Sequence, residues 1–389
     1  MSNPYVSPSV GLCQLEDGYL VYDAAAQILH ELNPVAALIV ELADGSRSAE
    51  ELVALAAPLI PGGDPASVAR AFVEEGLESG LLEAGDGIAR PARFLTAEEI
   101  RDAGNELWKR NRTEAALKLT RRGTELEPEN AQGWYQLGAR ALWLDRTPLA
   151  IDAYRRYLEI IPDDDAVRQI LAGLEGGPPP PRCSDRCIEL IFESFAATYD
   201  EHMQEALCYQ APERIEELLA AHLDGCADLE VLDLGCGTGL QGALLRKRAR
   251  RLTGVDLSPA MAEKAQALGI YDAIEIEEIH AWLEAPGDWF ELITSTDCLI
   301  YVGDLGRIMR LARQRLRPGG WLAFSLEKGE TFPFELKPTG RYTHHRDYLT
   351  ESALAAGLNV VELREGFLRN EGGREVAGWL VLLRRPVGE

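Results

Sequence analysis

The chain has 389 residues, which at about 150 residues per domain indicates two or three domains. Its 46% hydrophobic and 26% charged content excludes a disordered or collagen-like protein, and the net charge of −24 disfavours nucleic acids and anionic membranes as partners. Because it shows neither a membrane-spanning apolar run nor a signal-peptide pattern at its start, we expect a cytoplasmic protein.

The first segment contains three strand-like runs followed by three helix starts. Asp17-Gly18, a hairpin-turn signal, separates the first two runs. The runs cover residues 10–15, 19–22 and the stretch from Gln27 to Leu32. Residues typical of helix N-termini predict that the helices begin at Asn33-Pro34, at the capping box of Ser48, and at Asp64-Pro65.

This order of strands and helices resembles the PqqD-like family, whose winged-helix modules bind the leader segments of ribosomally made precursor peptides. The resemblance rests on residues 20–23 (LVYD), 32–33 (LN), 44–47 (DGSR) and 50–52 (EEL). It implies a leader-binding groove between the run from Gln27 to Leu32 and the helix over 64–79, where a peptide adds to a strand edge. The alternative is a generic winged helix used for packing or for dimerisation, which would make the protein a homo-oligomer.

A repeat of 34 residues follows. Gly104, Ala116 and Pro128 recur as Gly138, Ala150 and Pro162. With Trp134, Leu137 and Tyr154 in the second copy, the pattern resembles tetratricopeptide repeats, and residues 166–174 would supply a capping helix. The resemblance implies an all-α segment that binds a peptide or only spaces the domains.

Four prolines after Gly176-Gly177 indicate a stiff linker and the clearest domain boundary. A weaker boundary lies near Arg90-Pro91, so we expect domains over 1–93, 94–176 and 177–389.

The seven cysteines are an odd number, typical of free thiols. Only Cys183 and Cys187 stand close together, and without further ligands nearby no metal site is predicted.

The last segment alternates strands and helices, which predicts a mostly parallel sheet covered by helices on both faces. Its first strand, 229–233, ends at Asp233 and leads into a glycine-rich loop and then a helix to about Arg248. The loop consists of Gly235, Cys236, Gly237, Thr238 and Gly239. A second strand over 251–255 ends at Asp256, where a carboxylate can accept both ribose hydroxyls of a nucleoside.

Two cofactors compete for this loop. Gly237, Gly239 and Gly242 also fit the dinucleotide fingerprint G-x-G-x-x-G. S-adenosylmethionine is favoured because Asp233 would face the methionine ammonium but repel a pyrophosphate. A third strand ending at Glu278-Ile279 would also pair with the adenine amine and pack on its ring.

Residues 187–389 resemble the class I S-adenosylmethionine-dependent methyltransferases. The resemblance implies a Rossmann-like domain with a seven-stranded, mostly parallel sheet. It adds Phe195 and Tyr199 as lid residues. Tyr209 of the same leading element, Leu257 and Thr296 would be further cofactor contacts. Asp297 and Tyr301, after a fourth strand over 290–295, would face the methyl group.

Residues 340–344, 368–372 and 376–378 resemble a narrower group, the methyltransferases that carry tetratricopeptide repeats, although His345 departs from its pattern. For an amine, imidazole or hydroxyl acceptor, His344, His345 or Asp297 could remove the proton. For a carboxylate acceptor, Arg341 or Arg369 could orient the oxygens. The structural alternatives are a pairing of Arg341 with Glu327 or Glu371 and a His344 that is hydrogen-bonded in a loop.

A basic cluster over 246–251 is typical of a nucleic-acid patch, but in an acidic domain a solvated helix end is favoured.

Together the resemblances predict a methyltransferase that modifies a precursor peptide, with residues 1–93 holding its leader. The alternatives are a methyltransferase for a small molecule or an ordinary protein, and a peptide-binding scaffold with an inactive methyltransferase domain.

Overall fold

The computed structural model describes residues 3–15, 18–23, 28–61, 64–86, 88–90 and 92–388. Asp17, Gln27 and Pro91, which belong to the predicted turn, third run and weaker boundary, lie outside these residues. The chain forms two units, Met1–Ile161 and Pro162–Glu389. No helix in the described ranges combines the length and the apolar character needed to cross a membrane.

The N-terminal unit holds the predicted three strands and three helices, with further elements around them. Its strands are β1 (Asn3–Val6), β2 (Val10–Leu15), β3 (Gly18–Asp23), β4 (Ile28–Leu32), β5 (Leu82–Gly85) and β6 (Arg93–Phe94). Its helices are α1 (Pro34–Leu42), α2 (Ala49–Ala56), α3 (Pro65–Ser79), α4 (Ala97–Lys109), α5 (Thr113–Leu126), α6 (Ala131–Trp143) and α7 (Thr147–Ile160).

The predicted helix starts are confirmed at the level of their caps. The Asn33 side chain accepts hydrogen bonds from the first backbone N–H groups of α1. Ser48 forms a complete capping box with Glu51 at the start of α2, and Asp64 caps α3. These side chains satisfy N–H groups that have no partner within the helix, so the local sequence is sufficient to set the helix starts.

A four-stranded sheet in the order β4-β3-β2-β6 carries a core on each face. One core joins the sheet to α1, α2 and α3, with Val21, Ile39 and Leu52 buried at its centre. The other core joins Leu20 and Leu29 to residues of α4 and α5. The first helices of the repeat segment therefore share a hydrophobic core with the strands of the N-terminal module.

The C-terminal unit alternates helices and strands. Its helices are α8 (Asp165–Glu175), α9 (Asp185–Phe195), α10 (Tyr199–Glu201), α11 (Ala211–His222), α12 (Leu240–Leu245), α13 (Pro259–Ala267), α14 (Ile279–Glu284), α15 (Leu305–Arg315) and α16 (Arg346–Ala355). Its strands are β7 (Leu229–Leu234), β8 (Ala249–Asp256), β9 (Ala273–Ile276), β10 (Phe290–Ser295), β11 (Leu316–Lys328), β12 (Phe334–Leu336), β13 (Tyr342–His344), β14 (Asn359–Glu371) and β15 (Arg374–Arg384).

The sheet of this unit is Rossmann-like and mostly parallel. Its strands follow the order β9-β8-β7-β10-β11-β15-β14, with β15 antiparallel to both of its neighbours. Within the described residues, β12 and β13 add a short ribbon to the end of β11, so the sheet has nine strands rather than seven. The carboxyl ends of β7, β8 and β10 meet at one edge, where the predicted cofactor loop lies.

Two predicted element ends in this unit are wrong. The third strand ends at Ile276, and Glu278 caps α14 by accepting hydrogen bonds from His280 and Ala281 N–H groups. The helix after the glycine loop ends at Leu245 rather than near Arg248, because the chain turns there to enter β8.

The residues that follow the proline run are anchored to the C-terminal unit. The Pro181 carbonyl accepts hydrogen bonds from the N–H groups of Gly303 and Asp304, both at 2.9 Å, and the Cys183 N–H donates to the Tyr301 carbonyl at 2.8 Å. The predicted spacer is therefore joined to the unit at its C-terminal end. The division into three domains stays a prediction.

Candidate active site

The glycine loop leaves a backbone surface without side chains beside a cavity. Gly237 has φ = 54°, in the left-handed region that favours glycine, and a Cβ built on it would have no neighbour within 4 Å. Gly235 lies under Cys298, whose Cβ would be only 2.4 Å from an added Cβ. A side chain at Gly237 would enter the open space that a ligand of this loop needs.

Asp256, at the end of β8, is tied to the glycine loop. Its carboxylate accepts hydrogen bonds from the N–H groups of Gly237 and Ser258, both at 2.8 Å. Burial raises the pKa of this carboxyl above its ordinary value, although the backbone donors oppose the shift. Lone pairs of the carboxylate stay available to accept hydroxyl protons from a ligand.

The first cavity, of about 730 Å³, is open to both features. Eight of the predicted cofactor residues line it: Tyr199, Gly235, Gly237, Asp256, Leu257, Glu278, Ile279 and Thr296. Burial would raise the pKa of Glu278, but hydrogen bonds from His280 and Ala281 outweigh it and lower that pKa to about 2, so Glu278 is a fixed anion. Two carboxylates in a cavity that is otherwise mostly apolar fit a nucleoside, which has polar edges and a flat ring.

The other predicted cofactor residues are not in the lining of this cavity: Phe195, Tyr209, Asp233, Cys236, Thr238 and Gly239. Thr238 instead donates a hydrogen bond to Asp200 at 2.6 Å, which links the loop to α10. Tyr209 is partly buried, and this burial raises the pKa of its hydroxyl well above the ordinary value.

Asp233 points towards Tyr271 rather than to the cavity. Its carboxylate accepts hydrogen bonds from the Tyr271 hydroxyl at 2.8 Å and from Thr294 at 3.1 Å. Burial raises the pKa of Asp233 to about 6, against the effect of both hydrogen bonds. Gly242 has no room for a side chain, since a Cβ there would lie 2.0 Å from the Tyr271 hydroxyl. In this fold the third glycine of the dinucleotide-like pattern makes room for Tyr271.

A second cavity, of about 710 Å³, adjoins the first. Four residues line both: Phe192, Tyr199, Asp297 and Tyr301. Burial raises the pKa of both tyrosine hydroxyls above their ordinary values, so they are neutral hydrogen-bonding groups. The two predicted residues Asp297 and Tyr301 thus stand where the cavities meet.

Two arginines and three carboxylates form an ionic cluster at the wall of the second cavity. Arg369 pairs with Asp297 at 2.6 Å and also with Glu327, and Arg341 pairs with Glu327 at 2.6 Å and with Glu371. The structural alternative, in which Arg341 pairs with Glu327 or Glu371, is observed with both carboxylates. Asp297 itself adopts φ = 52°, an unusual conformation for a residue other than glycine.

The two predicted histidines line neither cavity. His344 is fully buried, and its Nε2 lies 3.0 Å from the Val302 carbonyl and 3.1 Å from the Gly303 carbonyl. Burial lowers its pKa to about 4, so the ring is neutral and donates from Nε2. His345 caps α16 by accepting a hydrogen bond from the Asp347 N–H. His344 is thus hydrogen-bonded as the structural alternative expected, but it lies at the end of β13 rather than in a loop.

The basic cluster is paired with carboxylates. Its partners are Asp272 for Arg246, Glu216 for Lys247 and Arg248, Asp228 and Glu230 for Arg250, and Asp288 for Arg251. These pairs reduce the positive potential that the sequence pattern alone would predict.

Several cavity residues were not predicted from the sequence. Arg182 and Cys183 form part of the first cavity, and His202 and Met203 form part of the second. His202 stands in the aromatic-rich segment before the glycine loop, and a five-residue π-helical turn over His202–Ala206 brings it to the cavity. No spacing rule in the sequence marks such a turn.

Comparisons with known proteins agree with this geometry. Residues 199–363 match a family described as methyltransferase domain. A ubiquinone biosynthesis O-methyltransferase of Xanthomonas oryzae pv. oryzae is 30% identical over 165 residues, which are 38% of this chain and 67% of that protein. The enzyme of the same name from Xanthomonas campestris pv. campestris is 30% identical over 34% of this chain, and the match spans 62% of its length.

One solved structure with a similar chain is 1,6-didemethyltoxoflavin-N1-methyltransferase of Burkholderia thailandensis. It is 22% identical, with a TM-score of 0.41, and the match covers 51% of this chain and 87% of that one.

Proposed function

The chain belongs to the class I S-adenosylmethionine-dependent methyltransferases, and on that premise we propose that it transfers a methyl group to an acceptor held in the second cavity. The observation that carries the proposal is the junction of the two cavities at Tyr199, Asp297 and Tyr301. In-line transfer needs donor and acceptor sites that meet at one point, away from water.

The residues of the first cavity fit S-adenosylmethionine. The open backbone at Gly237, the carboxylates of Asp256 and Glu278, and the apolar side chains of Leu257 and Ile279 would hold it. When bound, this cofactor supplies an electrophilic methyl group. Tyr199 and Tyr301 exclude water at the junction of the cavities and offer hydroxyl groups there. The ion pair with Arg369 holds the Asp297 carboxylate in place.

The test of this part is Gly237→Asp in the full chain. A side chain at this position should fill the donor cavity, so we expect S-adenosylmethionine binding to fall by about 100-fold or more in calorimetry, a loss of at least about 2.7 kcal/mol. Gly373→Asp is the matched control, since Gly373 also has a positive φ (74°) and no neighbour within 4 Å, but lies in the turn between β14 and β15. Equal binding by both variants would contradict the proposed donor site.

We further propose that the acceptor belongs to a ribosomally made peptide whose leader binds the N-terminal unit. The support is β4, which ends the sheet order and, among the described residues, has β3 as its one strand partner. An open strand edge can pair with an extended peptide. Residues 1–93 contain 14 acidic and four basic residues, so a basic leader is the favoured partner.

Proline substitutions in β4 test the peptide proposal. Successive N–H groups of a strand alternate between its neighbour and the open edge, so one of His30→Pro and Glu31→Pro removes a donor of the open edge. The variant that keeps the wild-type unfolding temperature identifies that position. We expect it to lose methylation of peptides encoded beside this gene and co-expressed with it, measured by mass spectrometry. Wild-type levels of peptide methylation in that variant would contradict leader pairing at β4.

A second candidate is methylation of a small molecule, in which residues 1–161 serve assembly. The names of the Xanthomonas relatives favour it, because these O-methyltransferases act in ubiquinone biosynthesis. Turnover of a free phenol without any peptide would support this candidate. A chain that binds no S-adenosylmethionine would instead favour the inactive scaffold.

A further inference from the structure

We infer that the acceptor is a hydroxyl group on an aromatic ring and that His202 takes its proton. The inference rests on the proposed methyl transfer and narrows its acceptor. The inference follows from two observations at the second cavity. The arginines and carboxylates of its wall are already paired with one another, and the imidazole of His202 is not paired with any of them.

A carboxylate acceptor does not suit the ionic wall of the cavity. Arg341 and Arg369 are the cations of this wall, and both are engaged by carboxylates of Asp297, Glu327 and Glu371. Three carboxylates against two guanidinium groups leave an excess of negative charge. An anionic acceptor would be repelled and would have to displace an existing ion pair before an arginine could orient it.

His202 is the one histidine that lines either cavity within the described residues. Its ring meets the Phe195 ring edge-on, with centroids 5.1 Å apart, and no hydrogen bond to its nitrogens occurs among those residues. It lines the second cavity and not the first. The imidazole can therefore reach an acceptor in the second cavity without standing in the donor cavity.

The other predicted bases are engaged elsewhere. Asp297 accepts a hydrogen bond from Ser325 on one carboxylate oxygen at 3.0 Å and pairs with Arg369 through the other at 2.6 Å. His344 donates to backbone carbonyls behind the cavity wall. His202 is exposed at the second cavity and is therefore the better-placed base.

The other residues that line the second cavity indicate which kind of acceptor fits it. Aromatic rings of Phe192, Phe195, Tyr199 and Tyr301, with aliphatic side chains such as Ile191 and Ile300, suit a flat apolar group. A phenolic hydroxyl has a pKa of about 10 in water, so it carries a proton at neutral pH and gains from a base. The acceptor oxygen forms the new bond to the methyl carbon and gives its proton to the His202 imidazole. The electron pair of the broken carbon–sulfur bond stays on sulfur, and water then takes the proton from the imidazole.

The test compares three acceptors with the full chain and S-adenosylmethionine. 4-Nitrocatechol presents the phenol as a small molecule, N-acetyltyrosinamide presents it as a peptide side chain, and phenylacetate presents a carboxylate. We expect an ether product from at least one of the two phenols and no ester from phenylacetate. Whichever phenol reacts identifies the source of the acceptor.

His202→Gln should lower kcat on the reactive phenol by about 100-fold or more, and S-adenosylmethionine binding should stay within about twofold of wild type. Added imidazole should restore part of the rate to His202→Gly. His222→Gln is the matched control, since His222 ends α11, pairs with Glu362 and lines neither cavity.

A wild-type rate in His202→Gln, an ester from phenylacetate, or no reaction of either phenol in a chain that binds S-adenosylmethionine would each overturn the inference. In these outcomes the proposed donor site would stand. A chain that does not bind S-adenosylmethionine would overturn the proposed function itself.

Discussion

At the scale of single residues, the first cavity shows why some roles can be predicted from the sequence. Gly237 and Asp256 lie at the ends of two adjacent parallel strands, so the strand pattern alone brings them together. Tyr271 and Asp233 are 38 residues apart, and their hydrogen bond needs the room that Gly242 leaves for the Tyr271 hydroxyl. Asp233 was predicted to face the methionine ammonium of the cofactor. That prediction assumed that the space beside its carboxylate is open, but Tyr271 occupies it.

The burial of the Asp233 carboxyl predicts a pH dependence of stability. The folded-state pKa of about 6 lies above the ordinary value of 3.8, so the folded chain binds this proton more tightly than the unfolded chain. The stabilising effect is complete below about pH 4 and is lost as pH rises through about 6. At about 1.4 kcal/mol per pKa unit, the free energy of unfolding should fall by about 3 kcal/mol over this window.

Asp233→Asn isolates this effect because it removes the ionisation and keeps the shape. We expect the unfolding free energy of the wild type to fall by about 3 kcal/mol relative to that of Asp233→Asn from about pH 4 to above pH 6. Hydrogen exchange of the β7 amides measures it. A pH-independent difference for Asp233→Asn would refute the prediction.

At the scale of secondary-structure elements, helix starts that depend on local chemistry could be predicted from the sequence. Strand and helix ends that depend on packing could not. The caps at Asn33, Ser48 and Asp64 are set by residues within one helical turn. β9 ends early because Glu278 finds its donors in α14, and these donors do not show in a strand pattern. The π-helical turn that carries His202 has no side-chain cap at its start, so no local signal marks it either.

The helix predicted to cap the repeats illustrates the same limit. An amphipathic sequence shows that α8 needs a partner but does not say which surface provides it. In the C-terminal unit, the Gln169 amide donates to the Gly340 carbonyl and to the Tyr342 hydroxyl, each at 3.3 Å. α8 therefore packs on the segment that leads into β13, and whether it also covers the repeats stays a prediction.

At the scale of the whole molecule, cores define the units better than changes of sequence pattern. In the N-terminal unit, Leu20 and Leu29 of the sheet are buried against Ile100, Leu107 and Leu119 of α4 and α5. A fragment over 1–93 would expose that face of the sheet to water. Exposing apolar surface costs about 25 cal/mol per Å², so the free energy of unfolding that this fragment would lose is large relative to the stability of a small domain.

Fragments of the C-terminal unit give the final prediction. A fragment over 162–389 keeps α8 with Gln169 and the chain up to Cys183, so it should fold and bind S-adenosylmethionine within about threefold of the full chain, a difference of less than 1 kcal/mol. A fragment over 177–389 lacks α8 and leaves the Tyr342 side uncovered, so it should unfold at a lower temperature and bind more weakly. Calorimetry and thermal unfolding measure both. Equal unfolding temperatures for the two fragments would show that α8 does not stabilise the unit, and the boundary at residue 177 would then be the better one.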